Sequence, residues 1–76
     1  MNKSQYVARC LLLSGDQLAL VDNLRSVDSV VEFAKDETDT LITHDEACAI
    51  LEACMQGISH EIGSEVTIDI VLSLLK

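Results

Sequence analysis

Proline and tryptophan are absent from this chain, and Tyr6 and Phe33 are its only aromatic residues. A core almost without rings must be filled by Leu, Val, Ile, Ala and Cys, a set that suits helix packing. Glycine is nearly as scarce, with only Gly15, Gly57 and Gly63 among 76 residues. An all-β chain of this length needs more turn residues, so an all-α fold is expected. No apolar run approaches the length of a membrane span. The opening "MNKSQYVARCLLLSGDQ" sets basic residues before "CLLL", but that run is too short for a secretory signal, and a mature cytoplasmic domain is expected.

Cysteine is limited to Cys10, Cys48 and Cys54, an odd number with no C-x-x-C pair. Free thiols in a reducing compartment fit this better than a disulfide framework. Basic residues are the most telling scarcity. Five Lys and Arg face thirteen Asp and Glu, giving a net charge of −8. After Lys35 no further cation occurs until Lys76, whereas Asp36, Glu37, Asp39, Asp45, Glu46, Glu52, Glu61, Glu65 and Asp69 fill the interval. That half has nothing to neutralise phosphates, which argues against direct nucleic-acid binding and admits a basic protein partner.

What is present is helical patterning in a single small domain, residues 1–76. Nearly half the residues are hydrophobic, 49%, enough to place the chain among globular rather than disordered sequences. Thr43 and Glu46 form a T-x-x-E capping box, and Asp45 and Glu46 complement the helix N-terminal dipole. Behind them Ala47, Ile50, Leu51, Cys54, Met55 and Ile58 follow i, i+3, i+4 spacing, with Ala49, Glu52, Ala53 and Gln56 opposite. Gly57 is the natural stop, although the pattern can run to Ile62.

Upstream, Val27, Val30, Val31 and Ala34 make a shorter stripe, capped by Ser26 or Asp28 and ended by Lys35. Ser14 and Gln17 open a further helix through Leu18, Val21 and Leu24, and Lys3 to Leu13 forms another, with Gly15 as a break. "DETDTLI" is expected to be a connecting loop. The C-terminal "VTIDIVLSLLK" alternates like a strand, but no partner strand is visible. Val66, Ile70, Val71, Leu74 and Leu75 then define a helix broken only by Thr67, Asp69 and Ser73. The expected architecture is a bundle of four to five short helices. Its apolar C-terminal helix invites homodimerisation through Ile68, Val71, Leu72 and Leu75.

Chemistry-bearing residues cluster around one stretch. His44 and Cys48 are four apart, a metal-ligand spacing on a helix. Two ligands do not make a site: Cys54 is turned off that face, and His60 lies beyond Gly57. No metal or cofactor is expected. As a nucleophile, Cys48 lacks an orienting partner and an oxyanion loop. No glycine-rich phosphate loop occurs either, so the chain is expected not to be an enzyme.

Two resemblances attach to quoted stretches. Residues 20–47, "LVDNLRSVDSVVEFAKDETDTLITHDEA", resemble the helical recognition domain of nitrogen-fixation-type leader peptides and their free-standing relatives. Leu20 and Leu24, then Val30 to Lys35, then Thr43 to Ala47 supply that family's leucine pair, helix ending in "AK" and threonine-capped acidic helix. The family's Gly-aromatic is replaced by "DETDT", and no Gly-Gly processing site follows. This resemblance implies a protein-docking domain. "SVDSVVEFA" is also similar to the Asp-Ser motif of acyl carrier proteins, which would make Ser29 a phosphopantetheine acceptor. There the expected glycine before Asp28 is missing, and Val30 stands for the usual leucine or isoleucine.

The functional expectation is a cytoplasmic, non-catalytic regulator or inhibitor of the sort found in bacterial accessory genes or phage. It would bind another, basic protein through Asp36, Glu37, Asp39, Asp45, Glu52, Glu61 and Glu65. A nucleic-acid mimic that blocks a basic nucleic-acid-binding protein is one version of this expectation. A carrier domain modified at Ser29 is the other alternative.

Overall fold

The structure is a computed structural model and describes residues 1–13, 22–57 and 65–76. Among these residues it is all-α, with four helices: α1 (Lys3–Leu13), α2 (Val27–Thr38), α3 (His44–Gly57) and α4 (Glu65–Leu74). No strand occurs among the described residues, so the ambiguous C-terminal segment is a helix. The expected helix opened by Ser14 and Gln17 lies almost wholly outside the described residues. Its last apolar position, Leu24, is buried.

Helix α3 occupies the centre, packing against α1, α2 and α4, while α1 also touches α2 and α4. Val7, Ala8, Leu11 and Leu12 from α1 meet Val30, Phe33 and Ala34 from α2, Ala47, Ile50 and Cys54 from α3, and Val71 from α4. Close-packed aliphatic side chains of this kind stabilise by roughly 1.5–3 kcal/mol each when fully buried.

Helix α2 begins as expected, with the Ser26 side chain accepting the Ser29 amide at 3.2 Å. It then runs three residues beyond Lys35, so Asp36, Glu37 and Thr38 are helical rather than part of the expected loop. The local cause is a well-satisfied end. The Thr38 hydroxyl donates to the Ala34 carbonyl, and the Thr40 amide reaches the same oxygen at 2.9 Å. Asp39 closes the helix in the left-handed region, at φ 51° and ψ 38°, a position that glycine usually fills.

Helix α3 is rotated relative to its hydropathy stripe. Ala53, expected on the polar side, is buried, and Met55, expected in the core, is 57% exposed. The reason is α4. A Cβ placed on Gly57 would stand 2.5 Å from Val71 Cγ2 and 3.6 Å from Thr67 Cγ2, so this face approaches α4 too closely for anything large. Helix α4 is likewise turned away from its hydropathy stripe: Thr67 and Ile68 are buried, whereas Val66 and Leu74 are exposed.

The ends of α1 and α4 are joined by two amides. The Asn2 side-chain oxygen accepts the Gln5 amide at 2.8 Å, and the Gln5 side-chain oxygen accepts the Asn2 amide at 2.9 Å. The nitrogens of the same two groups donate to α4: Asn2 Nδ2 to the Leu75 carbonyl at 3.0 Å and Gln5 Nε2 to the Leu72 carbonyl at 2.9 Å. The same two side chains thereby serve backbone amides at the start of α1 and carbonyls at the end of α4.

Candidate interaction surface

The surface grows from the helix caps outward. At the start of α3 the capping box forms as the sequence implies: Thr43 N–H donates to Glu46 Oε1 at 2.9 Å and Glu46 N–H to Thr43 Oγ1 at 3.1 Å. Lys3 Nζ lies 3.3 Å from the same carboxylate and donates to the Leu41 carbonyl at 3.3 Å. The Thr43 amide, and after it Lys3, hold the Glu46 carboxyl below its ordinary value. Glu46 is therefore engaged by its own chain at the surface.

The other acids of this half are free to face solvent. Asp36, Glu37, Asp39, Asp45, Glu52, Glu65 and Asp69 are all exposed, and Glu61 lies outside the described residues. All five Lys and Arg are described, yet Lys3 with Glu46 is the one ion pair among the described residues.

Asp36 and Glu37 also border an open cavity of about 350 Å³ on the outer side of α2. Glu32 and Ser29, one and two turns earlier, share this helix face, and Phe33 and Asp22 complete the lining. Asp22 and Glu32 precede Lys35 and so stand outside the acidic stretch that the charge asymmetry marked. The missed signal is the E-x-x-x-D spacing of Glu32 and Asp36, which extends the acidic stripe backward along one helix face.

Ser29 sits in the first turn of α2, half-buried, its hydroxyl 3.0 Å from that of Ser26. His44 is exposed and Cys48 half-buried, with Cys48 Sγ 4.0 Å from Glu52 Oε1. No group of three His, Cys, Asp or Glu suited to a metal ion occurs among the described residues, and His60 lies outside them. Cys54 is buried in the core, where loss of solvation pushes its thiol up to about 12.

The four positions expected to mediate self-association are placed largely inside the molecule. Ile68, Val71 and Leu75 are buried and Leu72 is half-buried. The exposed large apolar residues of α4 are Val66 and Leu74. Among the described residues no helix is long and apolar enough to cross a membrane.

No family model, no curated protein and no solved structure matches the chain.

Proposed function

We propose that the chain is a cytoplasmic, non-catalytic helical bundle that regulates or inhibits a basic protein by binding it through its acidic surface. One observation carries this reading. Every described acid from Asp36 to Asp69 except Glu46 is exposed, and among the described residues no basic side chain pairs with any of them. Unneutralised carboxylates on a rigid helical surface raise the encounter rate with a cationic partner and exclude acidic competitors.

The direct test is binding of a hexa-arginine peptide to the wild type and to a variant with amides at Asp36, Glu37, Asp39, Asp45, Glu52, Glu61 and Glu65. The reading requires strong weakening in the variant; unchanged affinity removes it. If nucleic acid competes with this protein for a shared basic partner, the mimic version applies.

A second reading, a carrier domain, is supported by Ser29 lining the α2 cavity in the first turn of a helix. Incubation with a carrier-modifying transferase and mass spectrometry decides it. A pantetheine adduct that disappears in Ser29→Ala supports the carrier reading, and an unmodified wild type eliminates it.

A further inference from the structure

We propose that the outer face of α4 is a contact between two copies of this chain, paired antiparallel about a two-fold axis at Ile70. The proposal does not depend on the acidic-surface reading, because the face concerned is uncharged. Helix α4 distributes its residues against the usual rule: Thr67 is fully buried, whereas Val66 is 62% and Leu74 49% exposed. The close crossing with α3 accounts for a small side chain at Thr67, whose Cγ2 is 3.6 Å from the Cβ position of Gly57. It does not account for Val66 and Leu74, which stand where polar side chains would leave the packing of the fold unchanged. In α2, by contrast, every exposed residue is charged: Asp28, Glu32, Lys35, Asp36 and Glu37. Val66, half-buried Ile70 and Leu74 are spaced i, i+4, i+8, so they line up along one side of α4. The two acids of the helix, Glu65 and Asp69, lie on its α1 side, where they share a groove with Arg9. A continuous uncharged stripe on a chain of net charge −8 marks a contact surface.

Two features select a second copy as the occupant. The first is symmetry, since a two-fold contact requires a patch that complements itself. Val66 and Leu74 flank Ile70 at equal spacing, so antiparallel pairing sets Val66 of each copy against Leu74 of the other and Ile70 against Ile70. The second is charge complementarity. The same register brings Glu65, at the start of one α4, beside Lys76, just beyond the end of the other, and does so at both ends. Lys76 is the only cation after Lys35, and neither it nor Glu65 forms an ion pair among the described residues. A partner of different sequence would require neither the symmetric spacing nor the opposite charges at the two ends.

Sedimentation equilibrium provides the test, at protein concentrations up to about 1 mM and about 0.15 M ionic strength, where repulsion between acidic copies is screened. Val66→Ser with Leu74→Ser removes the stripe without changing charge. Tyr6→Ser with Leu13→Ser, both half-exposed on α1, removes comparable apolar surface elsewhere. Thermal melts confirm that each variant folds. One helix pair is a small contact, so the expected wild-type dissociation constant is on the order of 0.1 mM. The α4 variant should raise it at least about tenfold and the α1 variant less than about twofold. Glu65→Lys alone should weaken association, and adding Lys76→Glu should restore it. In a mixture of carbon-13-labelled and unlabelled protein, methyl contacts should join Val66 of one copy to Leu74 of the other. A wild type that stays monomeric to about 1 mM would overturn the proposal. Equal weakening by the α4 and α1 variants, methyl contacts from another face, or no restoration by the reversed charge pair would do the same.

Discussion

Gly57 on α3 and Val71 on α4 meet so closely that a single added methyl group on the glycine would lie 2.5 Å from Val71 Cγ2. Valine is β-branched and stiff at χ1, so it cannot swing its methyl away cheaply. Gly57→Ala gains some helix propensity, roughly 1 kcal/mol at most, but overpacking costs about 1–3 kcal/mol. The expected outcome is a net loss of stability in chemical denaturation. Val71→Ala alone leaves a cavity and is also destabilising. Together the two substitutions should cost less than the sum of the singles, and strict additivity would contradict the contact.

The paired amides of Asn2 and Gln5 allow their two jobs to be separated. Asn2→Asp keeps the oxygen that caps α1 and loses the nitrogen that donates to Leu75. Asn2→Ala loses both. Asn2→Ala should cost about 1–2 kcal/mol, with Asn2→Asp in between. If the aspartate variant is as unstable as the alanine variant, the cap contributes nothing.

Glu46 gives an acid-side prediction with a definite sign. Its folded carboxyl titrates below its unfolded value, so its contribution is complete above the ordinary carboxylate range. That contribution is lost as pH falls through the lower, folded value. Other carboxylates also titrate there, so the readout is a difference. The wild-type advantage over Glu46→Gln should shrink on acidification, and an advantage constant with pH would refute the assignment.

Cys54 acts in the opposite direction and at the other end of the scale. The unfolded thiol ionises near about 8.5, whereas burial holds the folded one up to about 12. Between those values the unfolded state has released a proton that the native state retains, so stability falls as pH rises, by at most about 1.4 kcal/mol per pH unit. Cys54→Ala should flatten that slope while lowering stability at neutral pH. Under native conditions a thiol reagent should modify Cys10 and Cys48 well before Cys54.

Local rules made much of this fold legible. Thr43 with Glu46 and Ser26 with Ser29 are caps readable from adjacent residues, and both form. The two rotated faces were not legible in the same way. Hydropathy ranks Met55 above Ala53 and Val66 above Thr67, but a close helix crossing selects for small side chains, and the crossing is set by a partner distant in sequence. The first three residues of the expected loop "DETDTLI" are helical for a local reason instead: the hydrogen bonds that extend α2 converge on one carbonyl, of Ala34. The paired amides of Asn2 and Gln5 were not legible in this way, because half of their role depends on the far end of α4. Of the candidate surface, the acidic half was legible from the missing cations. The contribution of Asp22 and Glu32 required the cavity itself.

The most direct test of the central claim is the salt dependence of hexa-arginine binding to the wild-type protein, from about 0.02 M to about 0.3 M ionic strength, across which exposed charges become screened. Recognition through the exposed carboxylates predicts an affinity that falls at least about tenfold over that range. An affinity that stays constant with salt would contradict it.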